Sequence, residues 1–166
     1  MVWYARLPSR GTRTLVLRRH WHDGDLLALL EVVTLLLSLR VALRLRPFRD
    51  VRRWVVARAR RVSRVTTEGQ PDDDRTLRRA MLRGVRLLPG STCLPQALTG
   101  LLFAARRGVR ARVFIGVQVG ISEPFGAHAW LATDRGVVLG EDESARFAPL
   151  VLIDPFAAAD PQGAWR

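Results

Sequence analysis

The hydrophobic rhythm changes once along the chain, near Gly108, and the change separates a helical part from a stranded one. From Leu26 to Leu45 apolar residues run almost unbroken; Asp25 is placed to cap a long helix and Pro47 to stop it. Asp50 then predicts the cap of a second helix, Val51 to about Val65. There Val51, Val55, Ala59 and Val62 recur on one face while Arg52, Arg53, Arg60 and Arg64 fall mostly elsewhere, so the helix is amphipathic and strongly basic. Residues 66–74, with Gly69, Pro71 and three consecutive aspartates, read as a loop and subdomain boundary whose acids favour the positive end of a third helix, about Arg75 to Leu87. Leu88-Pro89-Gly90 breaks that helix. Ser91 or Thr92 opens a fourth, Cys93 to Arg107, with Pro95 tolerated in the first turn and Gly108 closing it.

Beyond Gly108 the apolar residues alternate or run continuously: Ala111 to Val119, Ala127 to Thr133 and Gly136 to Leu139. These predict three strands of an antiparallel sheet, joined by turns at 121–126 and Asp134-Arg135-Gly136. Val151 to Ile153 is a short apolar piece in a tail rich in proline and small residues, and residues 1–20 alternate only weakly, enough for an edge strand or an extended arm. The fold class is therefore α+β in three parts: a basic helical region over 1–70, a core over 71–150 and a C-terminal tail over 151–166.

At 166 residues and 48% hydrophobic composition the chain fits one core. Its formal net charge is +12, every one of the 27 basic residues is arginine, and residues 1–66 carry +11 of that charge. Arginine-rich composition also follows from GC-rich coding, so the field is either a solvated face or a docking surface for an acidic peptide or protein. No zinc-finger spacing or RNA-binding signature supports nucleic acid. Glu31, Arg40 and Arg44 interrupt the apolar run, which reads as a buried or partner-facing helix rather than a membrane span and leaves room for weak membrane-surface contact. One cysteine excludes an internal disulfide and a thiol metal cluster, and with no secretory signal pattern at the N-terminus the expected location is the cytoplasm. His20 and His22 flank Trp21 but have no third ligand nearby; no metal or cofactor is expected.

The chemistry concentrates on Cys93. A thiolate is favoured at the positive end of a helix or beside an imidazolium, and the N–H groups there can hold an oxyanion. A lone cysteine is ordinarily a small buried apolar residue. His128 changes that reading: alternation in Ala127-His128-Ala129-Trp130-Leu131 puts His128 and Trp130 on one face, and a strand packed on the Cys93 helix can deliver an imidazole to the thiol. Orienting that imidazole needs a carboxylate or amide on a neighbouring strand, and Glu141 and Asp142 both stand at the far end of the returning hairpin. Asp134 reads as a turn former, Trp130 as a lid or wall of the site, and the other tryptophans as packing residues.

Cys93-Leu94-Pro95-Gln96-Ala97-Leu98, Arg106-Arg107-Gly108-Val109, Phe114-Ile115-Gly116-Val117, Pro124-Phe125-Gly126-Ala127-His128-Ala129-Trp130 and Val137-Val138-Leu139-Gly140-Glu141 occur in that order. The series resembles the transglutaminase-like leader peptidases of lasso-peptide biosynthesis, in the form whose leader-recognition module is a separate protein. The resemblance covers about Cys93 to Leu150; the N-terminal part matches only in character. It implies a transglutaminase/papain-like core over 71–150 and a Cys-His-Asp triad that cuts a ribosomal precursor at the end of its leader. The freed core would pass to an ATP-dependent macrolactam synthetase. On that pattern Cys93 and His128 map directly. The family usually has Asp after an Asn on the returning strand, whereas here Gly140-Glu141-Asp142 stands, so Glu141 takes the matching place with Asp142 one residue on. Gln96 replaces a common arginine. Two other functions fit the same residues: another transglutaminase-like amidase or acyltransferase, and a non-catalytic scaffold subunit that binds the leader through its basic helices.

Overall fold

The computed structural model describes residues 23–63, 71–118, 126–140 and 146–157. Four helices precede four strands: α1 (Asp23–Leu45), α2 (Phe48–Val62), α3 (Pro71–Leu87), α4 (Cys93–Arg106), β1 (Ala111–Gln118), β2 (Ala127–Thr133), β3 (Gly136–Leu139) and β4 (Phe147–Ile153). The α+β class is as the sequence predicts.

The helix α4 is the hub. Its residues from Ala97 to Ala105 are buried almost without break, because the other three helices and the sheet all pack around it. Such a helix must be apolar on nearly every side. Its one glycine sets the helix-to-sheet distance: a Cβ at Gly100 would lie 2.6 Å from Leu131 Cδ2 and 3.3 Å from Leu139 Cδ1. At the far end, Gly108 takes φ +74, where the left-handed turn suits glycine, and closes the helix as expected.

Against α4 lie the three other helices. The inner stripe of α1, including Val32, Leu36 and Leu39, is 0–1% exposed, and Glu31 bonds both Arg106 and Arg107 at 3.0 Å. These contacts make α1 a layer of the domain, although by length and composition Leu26–Leu45 could cross a membrane. Its outer face is apolar too, with Leu27, Val41 and Leu45 more than half exposed. Where α1 crosses α3, a Cβ on Gly84 would stand 2.3 Å from Val32 Cγ1. Overpacking a fully buried contact of this kind costs about 1–3 kcal/mol, so Gly84→Ala is expected to lower the urea midpoint; an unchanged midpoint would mean that the helices separate freely.

Three helix starts differ from the sequence expectation. The first helix begins at Asp23, so Asp25, the expected cap, already belongs to it. The cap of α2 is Pro47 rather than Asp50, which lies inside the first turn and bonds Arg53 at 2.7 Å. Proline's fixed φ suits a helix entrance as well as it suits a stop. Likewise α3 begins at Pro71, not near Arg75, and Asp74 already belongs to the helix, accepting a hydrogen bond from Thr133 at 2.9 Å. As predicted, Val51, Val55 and Ala59 form the buried face of α2. Trp54 does not pack as expected: one residue off that stripe, it is 51% exposed. The other tryptophans assigned to packing, Trp3, Trp21 and Trp165, lie outside the described residues, as do His20, His22 and the weakly alternating 1–20 segment.

The sheet order is β3-β2-β1-β4, all antiparallel. The expected three strands are present, and β4 is an addition: Val151 to Ile153 is the end of an edge strand. Pro149 hides it in the sequence, because proline removes a ladder donor; an edge strand tolerates that loss. The register shifts between Ile115 and Gly116, opposite Pro149, and a Cβ at Gly116 would lie 2.6 Å from Ala148 O, so the bulge and the glycine together admit the proline. The predicted turn former Asp134 sits in the β2–β3 turn and pairs with Arg112 of β1.

Candidate active site

The nucleophile position is built by the break before α4. Gly90 takes φ +78, Thr92 is extended at the N-cap and makes no side-chain cap hydrogen bond, and Gln96 Nε2 donates to Ser91 O at 2.8 Å. Gln96, whose role the sequence leaves open, thus fastens the loop that leads into Cys93. Pro95 has no N–H to leave unsatisfied in the first turn.

His128 arrives on the second strand, opposite Gly116 on β1. It is 9% exposed and lies between two aromatic rings, Trp130 at 6.1 Å and nearly parallel, and Phe147 at 5.2 Å. The shared face of His128 and Trp130 is as the alternation predicts. Trp130 is a wall: its ring stacks on Phe114 at 5.6 Å and lies over Gly116, where a Cβ would be 2.9 Å from the indole.

Leu131 packs on α4, so the odd-numbered residues of β2 face the helices and His128 faces the other way. The thiol reaches the imidazole because the described β3 ladder ends at the pair Leu131↔Leu139. Past that end the sulfur meets both the His128 side chain and the Ala129 backbone N–H at the border of the sheet. Ala129 is a contact the sequence does not announce, since its N–H counts only once the length of β3 is known.

Burial raises the Cys93 pKa, but four interactions outweigh it. The His128 side-chain hydrogen bond, the Ala129 N–H, the charge of His128 and the Leu94 N–H together bring the thiol below its ordinary value. A lowered pKa means that thiolate is present at lower pH, so iodoacetamide should alkylate Cys93 at a pH where a free thiol is still slow. In His128→Ala the hydrogen bond and the charge are gone, and the onset of alkylation moves up in pH. The same onset in both proteins would show that the imidazole does not act on the sulfur.

Gly140 follows β3 with φ +79, and a Cβ there would lie 2.7 Å from His128 Nε2 and 3.0 Å from Trp130 Cβ. The second ring nitrogen is therefore held against the backbone that leads into Glu141. Glu141 and Asp142, the two candidates for the orienting acid, lie outside the described residues. Asp154, a further acid near the sheet, is engaged by Arg110 and Arg112 at 3.8 and 3.6 Å.

An α+β domain that offers a helix-mouth thiol to a strand imidazole defines a class, the thiol-imidazole site carried on a helix and a sheet. The family model described as the transglutaminase-like superfamily matches residues 35–152, well over half of the chain, and the protein belongs to that superfamily. Comparison with curated proteins and with solved structures found no match.

Proposed function

We propose that the chain is a cysteine peptidase that removes the leader from a ribosomally made lasso-peptide precursor, working with a separate leader-recognition protein and a macrolactam synthetase. The contact between the Cys93 sulfur and His128 at the mouth of α4 carries this reading. The motif series from Cys93 to Leu150 supports the choice of substrate.

The Cys93 thiolate attacks the carbonyl carbon of the leader–core bond, forming an S–C bond and a tetrahedral oxyanion. The Leu94 N–H lies on the sulfur, Gln96 N–H bonds Thr92 O and Pro95 has none, so the Cys93 N–H is the first-turn donor for that oxyanion. As the C–N bond breaks, His128 gives its proton to the leaving amine, and the leader remains as a thioester. Water, deprotonated by His128, then adds to the thioester carbonyl; the C–S bond breaks and the leader leaves as a carboxylic acid. Glu141, or Asp142 beside it, orients the imidazole through Nε2. The placement of Nε2 against Gly140, the residue before Glu141, supports this assignment.

The superfamily favours a second reading, in which an amine rather than water takes the acyl group from the thioester, or a side-chain amide is hydrolysed. Mass spectrometry of a lasso-peptide precursor incubated with the chain and the recognition protein separates the two, with Cys93→Ala beside it. Two fragments cut at one bond support the peptidase. A product of unchanged chain length with altered mass would replace it with the transferase or amidase, and an active Cys93→Ala would remove both.

A further inference from the structure

Beside the mouth of α4 a cleft of about 360 Å³ lies between α1, the start of α2 and the segment around Cys93. Leu43 of α1, Phe48 of α2 and Leu94 form its apolar wall; Arg40 and Arg44 of α1 bring two guanidinium groups, and Thr92 completes the rim. Among the described residues no carboxylate lines it.

Two observations make this cleft more than surface relief. The first is position. Thr92 and Leu94 are the chain neighbours of Cys93, each one Cα–Cα step of ~3.8 Å away. A peptide whose carbonyl rests on the sulfur, extended at ~3.3 Å per residue, reaches the cleft with a side chain one to three residues from the reacting bond.

The second is charge. Arg40 and Arg44 are four residues apart on one helix, a spacing at which like charges repel. Neither is bonded to an acid among the described residues: Glu31 of α1 is held by Arg106 and Arg107, and Asp50 of α2 by Arg53. The Arg40 guanidinium instead lies 3.4 Å from Ser91 Oγ, on the loop that positions Cys93. A pair of arginines kept together over an apolar wall next to a nucleophile is an arrangement that a carboxylate completes, with the methylene stem of an acidic side chain on Leu43 and Phe48 and its head on the guanidinium forks.

We propose that this cleft is a substrate subsite that selects peptides carrying Asp or Glu within three residues of the bond attacked by Cys93. The proposal rests on the reading of Cys93 as the nucleophile and deepens it by naming the feature the substrate must bear.

The test uses the full chain and a set of C-terminally blocked peptidyl electrophiles that alkylate thiols, with Glu or Gln at each of the three positions nearest the reactive carbon. Rates at Cys93 are normalised to iodoacetamide, which has no carboxylate and reports on the thiol alone. At one position at least, the Glu probe should react about ten- to a hundredfold faster than its Gln counterpart, as a charge-assisted hydrogen bond predicts. In Arg40→Gln/Arg44→Gln that ratio falls toward one.

Equal rates for every Glu and Gln pair in the unaltered protein would overturn the subsite while leaving the nucleophile standing, and this arm needs no variant to fold. A preference for Glu that survives in the double variant would also overturn it, assigning the effect to the general positive field of the chain. Failure of all probes and of iodoacetamide to label Cys93 would remove the nucleophile, and the subsite with it.

Discussion

Cys93→Ala is expected to lose precursor cleavage by on the order of 10⁴-fold or more, the scale on which loss of an attacking group is felt in hydrolases that work through a covalent intermediate. The sulfur receives hydrogen bonds from Ala129 N–H and Leu94 N–H and contacts His128, and an alanine methyl can do none of this. The fold should scarcely notice, because Cys93 lies at the edge of the core, half-buried, and its replacement removes one atom. Circular dichroism and the thermal midpoint of the variant should match those of the parent. His128→Ala should lose nearly as much activity, and the double variant little more than either, since groups that act as one unit are not additive. Retention of a tenth of the parent rate by Cys93→Ala, measured with freshly purified protein, would end the covalent mechanism.

Gly140→Ala should cost about 10²-fold in kcat while the protein stays folded. The backbone at φ +79 penalises any side chain by about 1–2 kcal/mol. The added methyl also falls 2.7 Å from His128 Nε2 and 3.0 Å from Trp130 Cβ, so the ring must shift or the loop must lift. Misplacement of a reacting group by about an ångström is enough for a loss of that size. The split between constants is diagnostic: a displaced imidazole lowers kcat and raises the pH at which Cys93 alkylates, with KM nearly unmoved. If kcat is lost but the alkylation profile does not shift, the glycine acts somewhere other than on the histidine.

How legible the molecule is depends on whether a feature is written locally. The fourth helix and the first three strands are readable because glycine and proline punctuate them: Leu88-Pro89-Gly90 before Cys93, Gly108 after Arg107, Gly136 in the β2–β3 turn. The start of α3 is hidden by Pro71 and three aspartates, a composition equally at home in a loop. The last strand is hidden because Pro149 fits only where Leu150 bulges beside it opposite the Ile115–Gly116 step of β1, and that fit belongs to the pair of strands rather than to either segment. At the site, residue type and period place Cys93 and His128. Ala129 N–H, the Gly140 backbone and the role of Gln96 depend on where β3 stops and how a loop is pinned; a glycine directly after a strand, next to an acid, is the one local sign of Gly140.

The two reacting groups sit on different elements, and a single glycine separates those elements. Because Gly100 lets α4 settle on Leu131 and Leu139, the placement of the sulfur against the imidazole depends on a packed interface about two helical turns along α4 from Cys93. A methyl group there would prise helix from sheet and uncouple acid from base without touching them. Turnover by the proposed pair would therefore report on the tightness of the core: as the packing loosens, it would fade while the backbone still registers as folded.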